Sequence, residues 1–190
     1  MPSSRPLRAD ARRNREALLA AAREALLADD AAHVEEIARR ADVAVGTLYR
    51  HFATREALVA EVYRQEVAEL CAAPARLLAQ HAPDEALRAF LLLLVEHAAV
   101  GRGMGEALDS IMATDSPVFD DARDEMARAL DELLAAGIAS GLVRSDVEGR
   151  LVLRALGGIC GMRAKGWKDD ALHIAAILYD GLRYAAANHG

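Results

Sequence analysis

The segment from Val34 to Leu58, VEEIARRADVAVGTLYRHFATREAL, constrains this chain more than any other. Val34, Ile37, Ala38 and Ala41 fall at i, i+3, i+4 and i+7, the spacing of one helix face. A tight break follows at Ala41-Asp42-Val43-Ala44. The next stretch, 45–52, turns Leu48 and Phe52 inward together with Val43. It leaves Ala44, Val45, Gly46, Thr47, Tyr49, Arg50 and His51 on the outer surface. Thr54 is a good N-cap for a third helix start. Helix, four-residue break, helix is therefore the local architecture, and the inner faces must pack on the helix that precedes them.

The rest of the chain reads as helix too. Ala, Leu, Glu and Arg dominate, alternating β-branched runs are missing, and Pro and Gly stand at plausible breaks. Residues 1–9 are expected to be a disordered basic arm. Helices are predicted over 10–28, 34–41 and 45–52, and from Thr54 towards Leu78, with Pro74 kinking or ending the last. Further helices are predicted over 83–100, 106–113, from Pro117 to near Gly141, from Ser145 or Asp146 to Ala164, and from Asp169 or Asp170 to Asn188. The glycine-rich stretch 101–105 is read as a helix junction; no strand precedes it, so it is no dinucleotide loop. The fold class is all-α, with about nine helices. A three-helix domain, 10–55, is joined by a long, rigid helix to a helical bundle within 56–190.

Charge is unevenly shared. Residues 1–55 carry ten Arg and eight acids, a net +2, while residues 56–190 carry thirteen basic and twenty-one acidic residues, a net −8. Five arginines (Arg5, Arg8, Arg12, Arg13, Arg15) face one acid, Asp10, in the first fifteen residues. A basic tip on an acidic body suits contact with a polyanion at one end. The longest apolar run, Phe90 to Val95, is far short of a membrane span. The arginine-rich start has no apolar core of signal type behind it, so a secretory signal is not expected. Cys71 and Cys160 read as reduced, buried thiols, and the expected location is the cytoplasm.

Beside that basic arm, the outer face of 45–51 fits the major groove of DNA. Thr47, Tyr49 and His51 carry donors for phosphate oxygens, contacts that seat a protein without reading sequence. Arg50 is the candidate base reader, since a guanidinium can bridge guanine O6 and N7. Val45 could meet a thymine methyl. Gly46 would cost about 1 kcal/mol in a helix interior, which makes sense where something must approach the backbone. Other readings are a helical small-molecule-binding or interaction protein without DNA binding, and a small helical enzyme. For the enzyme there is no His-Glu-x-x-His, no Glu-x-x-His pair and no nucleophile motif. The acidic neighbours Glu35-Glu36, Asp120-Asp121 and Asp169-Asp170 point different ways on a helix. Neither a metal nor a cofactor is expected.

Here the chain resembles the TetR family of one-component transcriptional repressors. The matching residues are Glu36-Ile37-Ala38, Ala41, Val43, Val45 to Phe52, Thr54-Arg55-Glu56, Leu58, and Asn14 to Ala22 in the preceding helix. The resemblance implies an all-helical homodimer with an N-terminal DNA-binding domain and a C-terminal ligand-binding and dimerisation domain. Residues at the positions of Thr47, Tyr49, His51 and Arg55 would contact phosphates, and those of Val45, Gly46 and Arg50 would approach bases. With Arg12 of the arm, His33 and Ala44, these make up the expected DNA-binding set. Two of them depart from the family pattern, which often has Thr where this chain has His33 and Ser where it has Ala44.

The partners implied are double-stranded operator DNA, a second copy of the chain and a small-molecule effector; no membrane partner is expected. Candidate effector-pocket residues are Phe90, Leu94, His97, Met104, Leu108, Met112, Phe119, Met126, Cys160, Met162 and Trp167. A four-helix dimer interface is expected from Leu151, Ala155, Gly158 and Met162, with Leu172, Ala176, Tyr179, Leu182 and Ala186.

Overall fold

The computed structural model describes residues 5–28, 33–105, 108, 117–161 and 165–184. Every regular element among them is a helix: α1 (Arg5–Ala28), α2 (Val34–Arg40), α3 (Val45–His51), α4 (Arg55–Cys71), α5 (Ala73–Gln80), α6 (Pro83–Gly103), α7 (Pro117–Ala139), α8 (Gly149–Cys160) and α9 (Trp167–Tyr184). The helix predicted over 106–113 lies outside the described residues except for Leu108. The first helix begins at Arg5, inside the stretch expected to be disordered. Pro74 does end the helix that starts after Thr54, and it occupies the first turn of α5, where a missing N–H costs nothing.

The chain forms two compact units, Met1–Gln65 with Val100–Ser116, and Glu66–Ala99 with Pro117–Gly190. A single boundary near residue 55 was expected. Instead α4 and α6 each contribute residues to both units.

In the first unit, α1 presents Leu18, Leu19, Ala22, Ala25 and Leu26 to the core. They share it with Val34, Ile37 and Ala38 of α2 and with Leu48 of α3. Each fully buried Leu or Ile is worth about 1.5–3 kcal/mol of transfer free energy, the main force holding two seven-residue helices in place. The α2–α3 break is a Schellman turn. Asp42 takes a left-handed φ of 55°, its N–H donates to the Arg39 carbonyl at 3.2 Å, and the Val43 N–H donates to the Ala38 carbonyl at 3.0 Å. Thr54 caps α4 as expected, with its Oγ1 accepting from the Ala57 N–H at 3.1 Å.

In the second unit, α7 packs on α5 and α8, and α8 on α9. Its core includes Phe90, Leu91, Leu130, Leu133, Leu134, Val152, Leu156, Ala171 and Ala175. A second Schellman turn closes α7, with Gly141 at φ 70° and the Leu142 N–H on the Gly137 carbonyl at 3.0 Å. The start of α8 corrects the sequence reading. Neither Ser145 nor Asp146 caps it, and Asp146 is paired with Arg144 at 2.5 Å. The carboxylate of Asp131 on α7 instead accepts from the Gly149 N–H at 2.6 Å. A Cβ at Gly149 would lie 2.5 Å from the Ala127 carbonyl oxygen, so only glycine permits that approach.

Candidate nucleic-acid interface

The α2–turn–α3 element sorts its side chains by face. Leu48 is fully buried and Phe52, the C-cap of α3, is nearly so. Ala44, Gly46, Tyr49 and Arg50 are exposed, and Val45, Thr47 and His51 are half-buried. Val43, expected to point inward, is half-buried. Tyr49 stands out at 47% exposure, high for a large aromatic. At Gly46 a Cβ would meet nothing within 4 Å. The protein's own packing therefore gives no reason for a glycine there.

Both helix starts lack side-chain caps. His33 and Ala44 hold extended N-cap backbones, and neither makes a side-chain cap hydrogen bond. The Ala44 carbonyl accepts from the Thr47 N–H at 2.8 Å. His33 is exposed and Arg55 is half-buried. On α2, the Glu36 carboxylate accepts from Arg39 and Arg40, both at 2.7 Å, and those arginines hold it below the usual carboxylate range, Arg40 contributing most. Arg12 is exposed and 3.6 Å from Glu16, while Arg13 pairs with Asp10. Arg15 turns away from both, to Glu61 of α4 and the ring of Phe52. This last contact has no local sequence signal, because 46 residues separate the charged partners.

The candidate effector residues do not share one unit. Phe90, Leu94, His97, Met126, Cys160 and Trp167 belong to the second, and Met104 and Leu108 to the first. Phe90, Leu94, Met104, Leu108, Met126 and Cys160 are buried, whereas His97 and Trp167 are half-buried. Burial pulls the His97 imidazole below its ordinary pKa, and the Glu66 carboxylate opposes that in part. Met112, Met162, Ala186 and the side chain of Phe119 lie outside the described residues.

The residues of the expected dimer face divide by burial. Leu151, Ala155 and Gly158 of α8 and Ala176 of α9 are exposed, with Leu151 at 58%. Leu172 is half-buried. Tyr179 and Leu182 are buried within their own chain. The Tyr179 hydroxyl donates towards Asp84 Oδ2 (3.3 Å) and Glu85 Oε1 (3.2 Å), and Arg183 and Arg88 flank its ring at 5.4 and 5.8 Å. Burial, then the Asp84 charge, pushes the Tyr179 phenol up to about 12. The exposed large apolar residue of α9, among those described, is Ile177, at 60%. The helix carries two apolar stripes one position apart, one buried and one exposed.

Among the described residues no cluster of three or more His, Cys, Asp or Glu could hold a metal ion. No described helix is long and apolar enough to cross a membrane.

An all-α chain whose second and third helices form this turn, with a polar and glycine-containing outer face on the second of them, is a helix-turn-helix transcriptional regulator. The family model for bacterial regulatory proteins of the tetR family matches residues 18–62. The model for the C-terminal domain of SbtR-like transcriptional regulators matches residues 82–184. In the solved structures, the TetR transcriptional regulator SCO0520 from Streptomyces coelicolor is 38% identical, with a TM-score of 0.76 over 89% of this chain and 98% of its own. The TetR transcription regulatory protein from Mycobacterium vanbaalenii is 33% identical, with a TM-score of 0.71 over 94% of this chain and 99% of its own. PfmR from Thermus thermophilus, 21% identical with a TM-score of 0.58 over 87% of this chain and 98% of its own, shares the fold. No curated protein matches the chain. The chain belongs to the TetR family of transcriptional regulators, which are DNA-binding proteins and not enzymes.

Proposed function

We propose that this regulator binds a pseudo-palindromic operator as a homodimer, represses transcription there, and is released by a small-molecule effector. The observation that carries the reading is the outer face of α3, where Gly46, Tyr49 and Arg50 stand exposed and the Gly46 backbone is open to close approach. Arg50 reads a base edge, and Thr47, Tyr49, His51, Arg55 and His33 seat the helix on phosphates. Val45 and Ala44 meet the groove floor and wall, and Arg12 adds charge from α1. Two copies of α3 would enter successive major grooves about 34–36 Å apart. Such a protein works in the cytoplasm, where its operator is.

The second copy is proposed to dock on the exposed face of α8 and α9 through Leu151, Ala155, Gly158, Ala176 and Ile177. Leu151 and Ile177 are the two most exposed large apolar residues among those described, and a self-complementary interface would cover both. The effector is proposed to lie in the second unit, among Phe90, Leu94, His97, Met126 and Trp167. It would favour a dimer conformation that no longer fits the operator, with a coupling of about 1–3 kcal/mol.

Selection on random DNA, followed by mobility shift at stated salt, tests the core of this reading. Arg50→Ala should abolish the preference for the selected fragment over random DNA, and Tyr49→Phe should weaken both equally. No shift with any fragment at low salt would sink the DNA-binding reading. Light scattering on Ile177→Asp tests the dimer: the variant should run as a monomer where the parent runs as a dimer.

A further inference from the structure

The arginines at the start of the chain do not share one task. Arg15 lies on the side of α1 that faces α3 and α4. Its guanidinium donates to the Glu61 carboxylate of α4 and stands 5.4 Å from the centroid of the Phe52 ring. Glu61 also holds Arg64, one turn along α4, and its side chain is only 18% exposed. Phe52 is the C-cap residue of α3; its N–H donates to the Leu48 carbonyl at 2.8 Å, and its ring lies 6.4 Å from that of His51. These side chains belong to α1, α3 and α4 of the first unit.

α3 has seven residues and one fully buried side chain, Leu48, so its direction depends on how its two ends are held. The Schellman turn at Asp42 fixes the approach to the first end. At the other end, the Arg15 guanidinium is held by the Glu61 carboxylate and lies over the Phe52 ring. We propose that Arg15 and Glu61 are positioning residues for the recognition helix: as a pair they clamp the Phe52 end of α3 to α4 and so set the angle at which Tyr49, Arg50 and His51 meet DNA. The proposal rests on the DNA-binding reading of α3. It assigns Arg15 away from the phosphate-binding set that the arginine-rich start would otherwise place it in.

The test compares the full-length parent with Arg15→Gln, Glu61→Gln and the double variant, on the selected operator fragment and on a scrambled one, across a salt series. Each single change should weaken operator binding about tenfold, the size of coupling between residues in one network, with scrambled binding and the salt slope unchanged. The double variant should bind no worse than either single one. Glu61→Gln carries the sharpest sign: removing a negative charge beside DNA should tighten binding by simple electrostatics, so a loss points to positioning. Glu61→Gln binding as tightly as the parent, or tighter, would overturn the proposal. So would additive losses in which Arg15→Gln lowers the salt slope by about 0.9, the mark of one lost phosphate contact. A parent that shifts no DNA at low salt would defeat the DNA-binding reading itself, a separate outcome. Should a Gln variant unfold at the assay temperature, Arg15→Lys keeps the charge without the planar fork. It should weaken operator binding at unchanged slope, and parent-like binding would overturn the clamp.

Discussion

Gly46 sets stability against function at a single position. It sits in the first turn of α3 with open space where a Cβ would go. Gly46→Ala should therefore raise stability by up to about 1 kcal/mol in urea denaturation, while it weakens operator binding in a mobility shift. A stabilised variant that binds as well as the parent would show that nothing approaches this backbone. His97 makes a second prediction. Its folded pKa is lowered, so the unfolded chain binds more protons and the neutral-side stability is lost as pH falls through about 6.5 towards the folded value. His97→Gln should flatten that loss between pH 7 and 5.5, read as the shift of the denaturation midpoint. The outward residues of α3 were legible in the sequence because a single helical period sorts Leu48 from Tyr49 and Arg50. Arg15 was not legible: an arginine among arginines gives no hint that its partner lies on α4.

At the scale of elements, what the sequence shows and what it hides follow the distance over which each helix end is satisfied. Thr54 caps α4 from three residues away, and periodicity with a capping hydroxyl was enough to find it. The α8 start is satisfied by Asp131, eighteen residues upstream on α7, which no local rule could reach. Gly149 is the other half of that contact. Gly149→Ala would press a methyl against the Ala127 carbonyl and the Leu130 Cβ, 2.5 and 2.8 Å away. The expected cost is about 1–3 kcal/mol, measured by urea denaturation. The same change at Gly157 or Gly158, whose added Cβ would meet nothing within 4 Å, should cost the single chain nothing. On the dimer reading it would disturb assembly instead. α9 carries two apolar stripes, Ala171–Ala175–Tyr179–Leu182 inside and Ala176–Ile177 outside, and helical spacing alone does not tell them apart.

For the whole molecule, the fold class and the order of the helices up to Ala99 were legible. Ala, Leu, Glu and Arg leave little room for strands, and prolines mark the starts of α5, α6 and α7. The boundary between the units was not. A three-helix domain ending at Arg55 is complete as a sequence motif, yet the compact unit takes in ten more residues of α4 and returns for the end of α6. The pairing of Glu61 with Arg15 is one reason the early part of α4 goes with the DNA-binding helices. The chain thus passes between its units inside α4, again inside α6, and a third time between Ser116 and Pro117. Melting either unit would cut two helices part-way along and strand their hydrogen-bond ladders in the other. The two bodies should consequently share one unfolding transition: calorimetric and van't Hoff enthalpies should agree, and probes at Trp167 and at Tyr49 should report the same midpoint.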